Sequence, residues 1–233
     1  EAAEVRSFLQ ELDPDNTIVL DYTSDSDFQT NHFVNWNLPN HFPWIFGIFQ
    51  AFEPQNDLFF DFDRVEKMLA IAENDPMCKG MVLWSENSHS NPLLLEYLAK
   101  KSAGERFSVE QFCRDRYDDF AKSMAELWTM TKAPFAANAW VFDKERPYRG
   151  TFCNHFNLLN SFPTLEKDPY PSGLYCECAR KYPLLDIPET FFTKAVDLAA
   201  KANSEWMRRD LGDLLRTALM CLITRELCGI IIK

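Results

Sequence analysis

Two runs of strand composition with a helical pattern between them constrain this chain most. The first is Pro43-Trp44-Ile45-Phe46-Gly47-Ile48-Phe49, apolar throughout, as expected for a strand covered on both faces. The second is Gly80-Met81-Val82-Leu83-Trp84, which leads into Ser85-Glu86-Asn87-Ser88-His89-Ser90-Asn91-Pro92. Between them Val65, Met68, Leu69 and Ala72 recur at three- and four-residue intervals, the spacing of a helix with one buried face, and Asp75-Pro76 closes it. An earlier strand, Thr17 to Tyr22, follows the turn residues Asp13-Pro14-Asp15-Asn16. A further helix opens at Pro92, where the missing N–H costs nothing, and runs to about Lys101. This alternation predicts a parallel α/β sheet or barrel.

After Gly104 the pattern changes. Ser108 and Gln111 are spaced as a capping box ahead of Val109, Phe112, Cys113, Tyr117, Phe120, Met124, Leu127 and Trp128, an amphipathic helix. Residues 133–188 are rich in Pro, aromatics and turn residues and read as irregular. Residues 189–202 and 205–228 read as helices. On the second of these, Asp210, Asp213 and Arg216 are spaced as neighbours and read as a solvated or structural ion-pair face. The expected division is an α/β domain over 1–104 and an α-helical domain over 105–233. Residues 1–9 read as the tail of a helix and the chain stops directly after a helical pattern, so both ends look cut and the whole reads as a piece of something longer.

Composition excludes several classes of function. The 233 residues are 46% apolar and 14% aromatic, enough for a substantial core. A net charge of -11 with no basic stripe argues against nucleic acid as a partner, because phosphate binding needs clustered Lys and Arg. No apolar run reaches the roughly 18 to 20 residues of a membrane span, so no membrane partner is expected. Seven scattered cysteines do not form a disulfide framework and point to a reducing compartment. The absence of Asn-x-Ser/Thr acceptors points the same way, toward a cytoplasmic or bacterial protein. Cys176-Glu-Cys178 lacks a second ligand pair, so no metal site is expected, and no cofactor is called for.

Chemistry in an α/β barrel sits on the loops at the carboxyl ends of the strands, which singles out Glu86 as a catalytic candidate. Its bland alternative is a helix cap or a surface ion pair. Trp84 and Phe46 lie at strand ends, where flat rings stack on a sugar, although inward aromatics in a barrel are more often core. Asp25, in the polar loop after the first strand, is the best local carboxylate to line the same pocket, with Asp27, Glu53 and Asp57 behind it. That loop also carries His32, Asn35, Trp36, Asn37 and His41, a mixture typical of sugar sites and of loops in general. His89 reads equally as a hydroxyl ligand or a loop histidine, and Asn91 more often as a helix N-cap than as a ligand.

These residues resemble a known family. Pro43 to Phe52, Leu58-Phe59, Val65, Gly80-Met81, Glu86, Asn91-Pro92 and Tyr97-Leu98 are similar to the later barrel half of glycoside hydrolase family 89, the α-N-acetylglucosaminidases. Arg209-Asp210-Leu211-Gly212-Asp213-Leu214-Leu215-Arg216 resembles that family's Tyr-Asp-Leu-(Val/Leu)-Asp-(hydrophobic)-x-Arg helix, which lies in an all-helical domain after the barrel. The resemblance implies the last strands of a (β/α)₈ TIM-type barrel followed by that helical domain. It also implies retaining hydrolysis of an N-acetylhexosamine-containing glycan, with Glu86 as nucleophile and Trp84, Phe46, Asp25, His89, Gln50 and Asn91 around the substrate. Departures are visible. Ser85-Glu86-Asn87-Ser88 replaces the family's Pro-Glu-Gly-Ile, and Gln50-Ala51-Phe52-Glu53-Pro54-Gln55 replaces His-Asn-Phe-Gly-Gly-Asn, which unsettles the exact sugar. The family's general acid lies in an Asn-Glu pair on an earlier strand, and no such pair occurs here, so the acid is expected in a missing barrel half. The alternatives are a carbohydrate-binding or scaffold protein without turnover, and a helical-bundle interaction module.

Overall fold

The computed structural model describes residues 2–25, 33–50, 57–58, 60–85, 91–138 and 178–232. The chain is α/β followed by α: a three-stranded parallel sheet with helices around and after it. It divides into two compact units. The first holds α1 (Ala2–Gln10), β1 (Val19–Asp21), β2 (Trp44–Gln50), α2 (Phe62–Glu73) and β3 (Cys78–Ser85). The second holds residues 57–61, α3 (Pro92–Ser102), α4 (Val109–Tyr117), a 3₁₀ turn (Asp118–Phe120), α5 (Ala121–Asn138), α6 (Glu189–Ala199) and α7 (Glu205–Ile231). The helix α3, which the strand–helix alternation attaches to the sheet, therefore groups with the later helices.

In the first unit the strands lie in the order β1-β2-β3, all parallel. Phe33 stacks on Trp44 with centroids 4.5 Å apart and meets Phe46 edge-on at 6.0 Å, and all three rings are fully buried. The amino end of the sheet is locked by Asp75. Its carboxylate accepts from Trp44 Nε1 at 2.6 Å and from the N–H groups of Asn40 and Met77 at 3.0 Å each. Burial raises this carboxyl, and those donors outweigh it and hold the group below the usual carboxylate range. Asn37, which looks like a ligand group in sequence, and Asn40 sit at φ of 62° and 63° and serve as left-handed turn residues.

The third strand carries one extra residue. Trp44 pairs with Cys78 but Phe46 pairs with Met81, so two residues of β3, Lys79 and Gly80, oppose Ile45 alone. Gly80 has a φ of 147°, open to glycine and strained for other residues. Because side chains alternate along a strand, this bulge decides which face Val82 and Trp84 occupy.

In the second unit α5 packs against α4, α6 and α7. Ser108 caps α4 through its hydroxyl, which accepts from Gln111 N–H at 3.1 Å. The Gln111 side chain bonds Asp115 and Arg114. A break at Asp118, with φ of 45°, separates α4 from α5, so the single helix expected there is two. Helix α5 continues to Asn138 with Pro134 inside it, and residues 178–181 are helical, which corrects the irregular reading at both ends of 133–188. Residues 139–177 lie outside the described residues.

Asp210 and Asp213 are buried, so this face of α7 is structural and not solvated. Asp210 takes Arg116 through Nε at 2.6 Å and Nη2 at 3.2 Å and the Tyr117 hydroxyl at 2.9 Å. Trp128 Nε1 donates to Tyr117 at 3.3 Å, and the Arg116 guanidinium lies over the Trp206 ring at 5.3 Å. Asp213 pairs with Arg216 at 3.0 Å. Five cysteines, Cys78, Cys113, Cys178, Cys221 and Cys228, are free thiols. No helix among the described residues is long and apolar enough to cross a membrane.

Candidate functional site

Parallel strands present all their carboxyl ends on one edge, and in open α/β sheets ligands bind outside that edge. Here the edge is formed by Asp21 and the turn after it, by Gln50 at the end of β2, and by Ser85 at the end of β3, paired with Gln50.

The turn after β1 is built by its own side chains. The Ser24 N–H donates to Gly47 O at 2.8 Å and the Gly47 N–H donates back to Ser24 Oγ at 3.1 Å, while that hydroxyl donates to Asp21 O at 2.7 Å. Asp21, almost wholly buried, accepts from Phe33 N–H at 2.9 Å and Thr23 N–H at 3.2 Å. This turn comes so close to β2 that a Cβ on Gly47 would stand 2.4 Å from both Asp21 O and Tyr22 Cα. Gly47 is therefore the residue that lets the β1 turn lie on β2.

The turn delivers Asp25, which is half-buried. Burial pushes its carboxyl up to about 7. Arg64 and the N–H groups of Asp25 itself and Phe49 pull it down, and the neighbouring Asp21 pushes it up further. A carboxyl that holds its proton near neutral pH can donate a hydrogen bond or exchange a proton there.

Next to it the other face of the sheet carries a row of rings. Phe49 is paired with Trp84 across β2 and β3, and Tyr22 meets Phe49 edge-on with centroids 5.6 Å apart. Trp84 is 43% exposed and Tyr22 54%. Leu20, also exposed, is paired with Ile45 on this face. Apolar strand residues facing water are unusual for a parallel sheet, which is ordinarily covered on both sides.

Trp84 and Asp25 both neighbour Phe49, the first by strand pairing and the second through the Phe49 N–H. Phe46 does not join them: it lies on the opposite face, fully buried against Phe33 and Trp44. Asn91 is the N-cap of α3, accepting from Leu93 N–H at 3.0 Å and Leu94 N–H at 3.2 Å, and is buried in the second unit. Gln50 is placed by its backbone at the end of β2. Glu86 and His89 lie outside the described residues, and Ser85, the last residue of β3, directly precedes Glu86 in the chain. Of the weaker carboxylates, Asp57 is buried in the second unit, where burial pushes it up to about 6 with Arg216 opposing, and Asp27 and Glu53 lie outside the described residues.

Three participants carried little sequence signal. Arg64 acts through its charge from α2, Phe49 acts through its backbone N–H, and Tyr22 depends on the turn for its place. Among the described residues no group of His, Cys, Asp and Glu has metal-binding geometry. Comparison with known proteins finds no family model, no curated protein and no solved structure that matches the chain.

Proposed function

We propose that this chain is the later part of a glycoside hydrolase that acts on N-acetylhexosamine-containing glycans with retention, similar to the α-N-acetylglucosaminidases of family 89. The observation that carries the reading is the half-buried Asp25 carboxyl, neutral to about pH 7, beside an open row of aromatic rings at the carboxyl edge of a parallel sheet. Rings in such a row stack on the apolar face of a pyranose, and a neutral carboxyl donates to its hydroxyls. Glu86, next in the chain after the strand that holds Trp84, attacks the anomeric carbon and forms a covalent glycosyl-enzyme, which water then hydrolyses. The acid that protonates the departing oxygen comes from an earlier strand of the barrel.

The barrel itself belongs to the same proposal. Strands in sequential order, all parallel, with β2-α2-β3 as a crossover unit, are what a segment of a (β/α)₈ barrel looks like. The exposed apolar face then becomes its lumen wall, covered when the remaining strands close the ring.

A second reading is favoured by one observation: the Asp25 carboxyl at this edge has a raised proton affinity, and a neutral carboxyl hydrogen-bonds a sugar without any need for turnover. Hydrolysis of 4-nitrophenyl N-acetyl-α-glucosaminide by the wild type and the Glu86→Gln variant separates the two. A nucleophile's loss lowers kcat by about a thousandfold or more while sugar affinity survives. An unchanged rate in the variant rejects Glu86, and a wild type that binds N-acetylglucosamine without hydrolysing the glycoside supports the binding protein.

A further inference from the structure

Helix α7 carries two apolar faces. One packs inside the second unit and buries Met207, Leu211, Leu214, Ala218, Cys221 and Cys228. The other faces water, with Leu219, Ile223 and Ile230 at 48%, 41% and 59% exposure. Together with the exposed Gly212 and Glu226 and the partly exposed Arg216, they form a stripe whose members recur at steps of four, three, four, three and four residues. A mean spacing of about 3.5 residues keeps such a stripe turned toward one neighbouring helix along its whole length, here about 27 Å.

The stripe is complementary to its own reverse. Gly212 and Ile230 stand nine residues on either side of Cys221, Arg216 and Glu226 stand five, and Leu219 and Ile223 stand two. A two-fold axis at the level of Cys221 lays a second α7 antiparallel along the first, as a self-complementary interface requires. Each Leu219 then meets Ile223 of the second copy, each Arg216 meets Glu226, and each Ile230 lies over Gly212. A parallel pair would instead set Arg216 against Arg216 and Glu226 against Glu226.

Both unlike pairs have the room they need. The Arg216 guanidinium is tied to Asp213 by one N–H group at 3.0 Å, and a guanidinium carries five donors, so it can share a second carboxylate. Gly212 weakens a helix interior relative to alanine, and no neighbouring group stands within 4 Å of where its Cβ would be. That gap is where Ile230 of the second copy packs.

We infer that α7 is a self-association surface, through which two copies of this chain pair antiparallel about an axis at Cys221. A single helix pair buries less than the roughly 1,600 Å² of a standard interface, so the dimer is weak, with a Kd of about 10 to 100 µM.

The test is sedimentation velocity of the full chain carrying Leu20→Thr and Trp84→Thr, which removes two exposed apolar side chains of the sheet and leaves α7 untouched. That chain dimerises. Adding Gly212→Arg, which fills the gap but suits a lone helix, raises Kd at least about tenfold while the melting temperature holds or rises. Ile223→Lys raises Kd similarly, with helix content by circular dichroism unchanged. Glu226→Arg sets like charges opposite each other and raises Kd about tenfold at about 50 mM salt, and Arg216→Glu combined with Glu226→Arg recovers it. A chain that stays monomeric at about 300 µM overturns the proposal and leaves the stripe to a different partner. A Kd unmoved by Gly212→Arg and Ile223→Lys overturns it too. A folded charge-swapped variant that fails to recover rejects the antiparallel register; if loss of the Arg216–Asp213 pair unfolds that variant, Gly212→Arg and Ile223→Lys decide by themselves.

Discussion

Among the described residues two carboxyls, Asp25 and Asp57, are more basic than a free aspartic acid, and they carry different consequences. Asp57 titrates near 6 in the fold against 3.8 in the unfolded chain because burial penalises its charge. The folded state therefore binds the extra proton between those values. The benefit is fully present below pH 3.8, is lost as pH rises through about 6, and stays lost above it. The variant Asp57→Asn, with no charge to bury, should be more stable than wild type at pH 8 by up to about 3 kcal/mol and no more stable at pH 3.5, as read by urea denaturation at both pH values. Asp25 has the same sign with its midpoint near 7. If its neutral form grips the sugar, kcat/KM falls as pH rises through about 7, and Asp25→Asn, which remains a donor at every pH, flattens that limb. A pH–rate profile with an unchanged alkaline limb in the variant removes Asp25 from the site.

At the level of elements, the β1–β2 pairing depends on an absent side chain. Gly47→Ala places a Cβ 2.4 Å from backbone atoms of the β1 turn, which cannot move aside as a flexible side chain would. We expect a loss of about 3 kcal/mol or more, or detachment of β1, visible as faster exchange of the Ser24 amide. Among the helices, Asp210 joins α7 to α4 through Arg116 and Tyr117. Asp210→Ala leaves a guanidinium and a phenol without their acceptor and should cost about 3 to 5 kcal/mol in chemical denaturation. A much smaller cost would mean that solvent replaces the carboxylate there. These elements were largely legible in the amino-acid pattern. The spacing of Val65, Met68, Leu69 and Ala72 predicts α2, and all four are buried. The bulge at Lys79 and Gly80 was not legible, because an extra residue in a strand is defined only against its partner.

For the whole molecule, the open sheet face is the feature that most needs an explanation. Ile18, Leu20, Tyr22 and Trp84 are all exposed, on or next to strands of the sheet. In a closed barrel this face is interior; left open, it is an association surface. The chain as given should therefore associate with increasing concentration in sedimentation experiments. Leu20→Thr combined with Trp84→Thr should suppress that association with a stability change within about 1 kcal/mol. Association that survives the double variant would place the contact elsewhere.

The strand–helix alternation of the first unit, the parallel sheet, the Ser108 cap and the Asn91 cap were determined by the sequence alone, because each follows from periodicity or from a side chain bonding within a few residues of itself. Tertiary structure decided the rest. It turned Phe46 into the core against Phe33 and Trp44, and it turned Trp84 outward through a register set by the bulge in β3. It buried Asp210, whose partners Arg116 and Tyr117 arrive from another helix, and it raised Asp25 and Asp57, whose proton affinity depends on neighbours that no local pattern brings together.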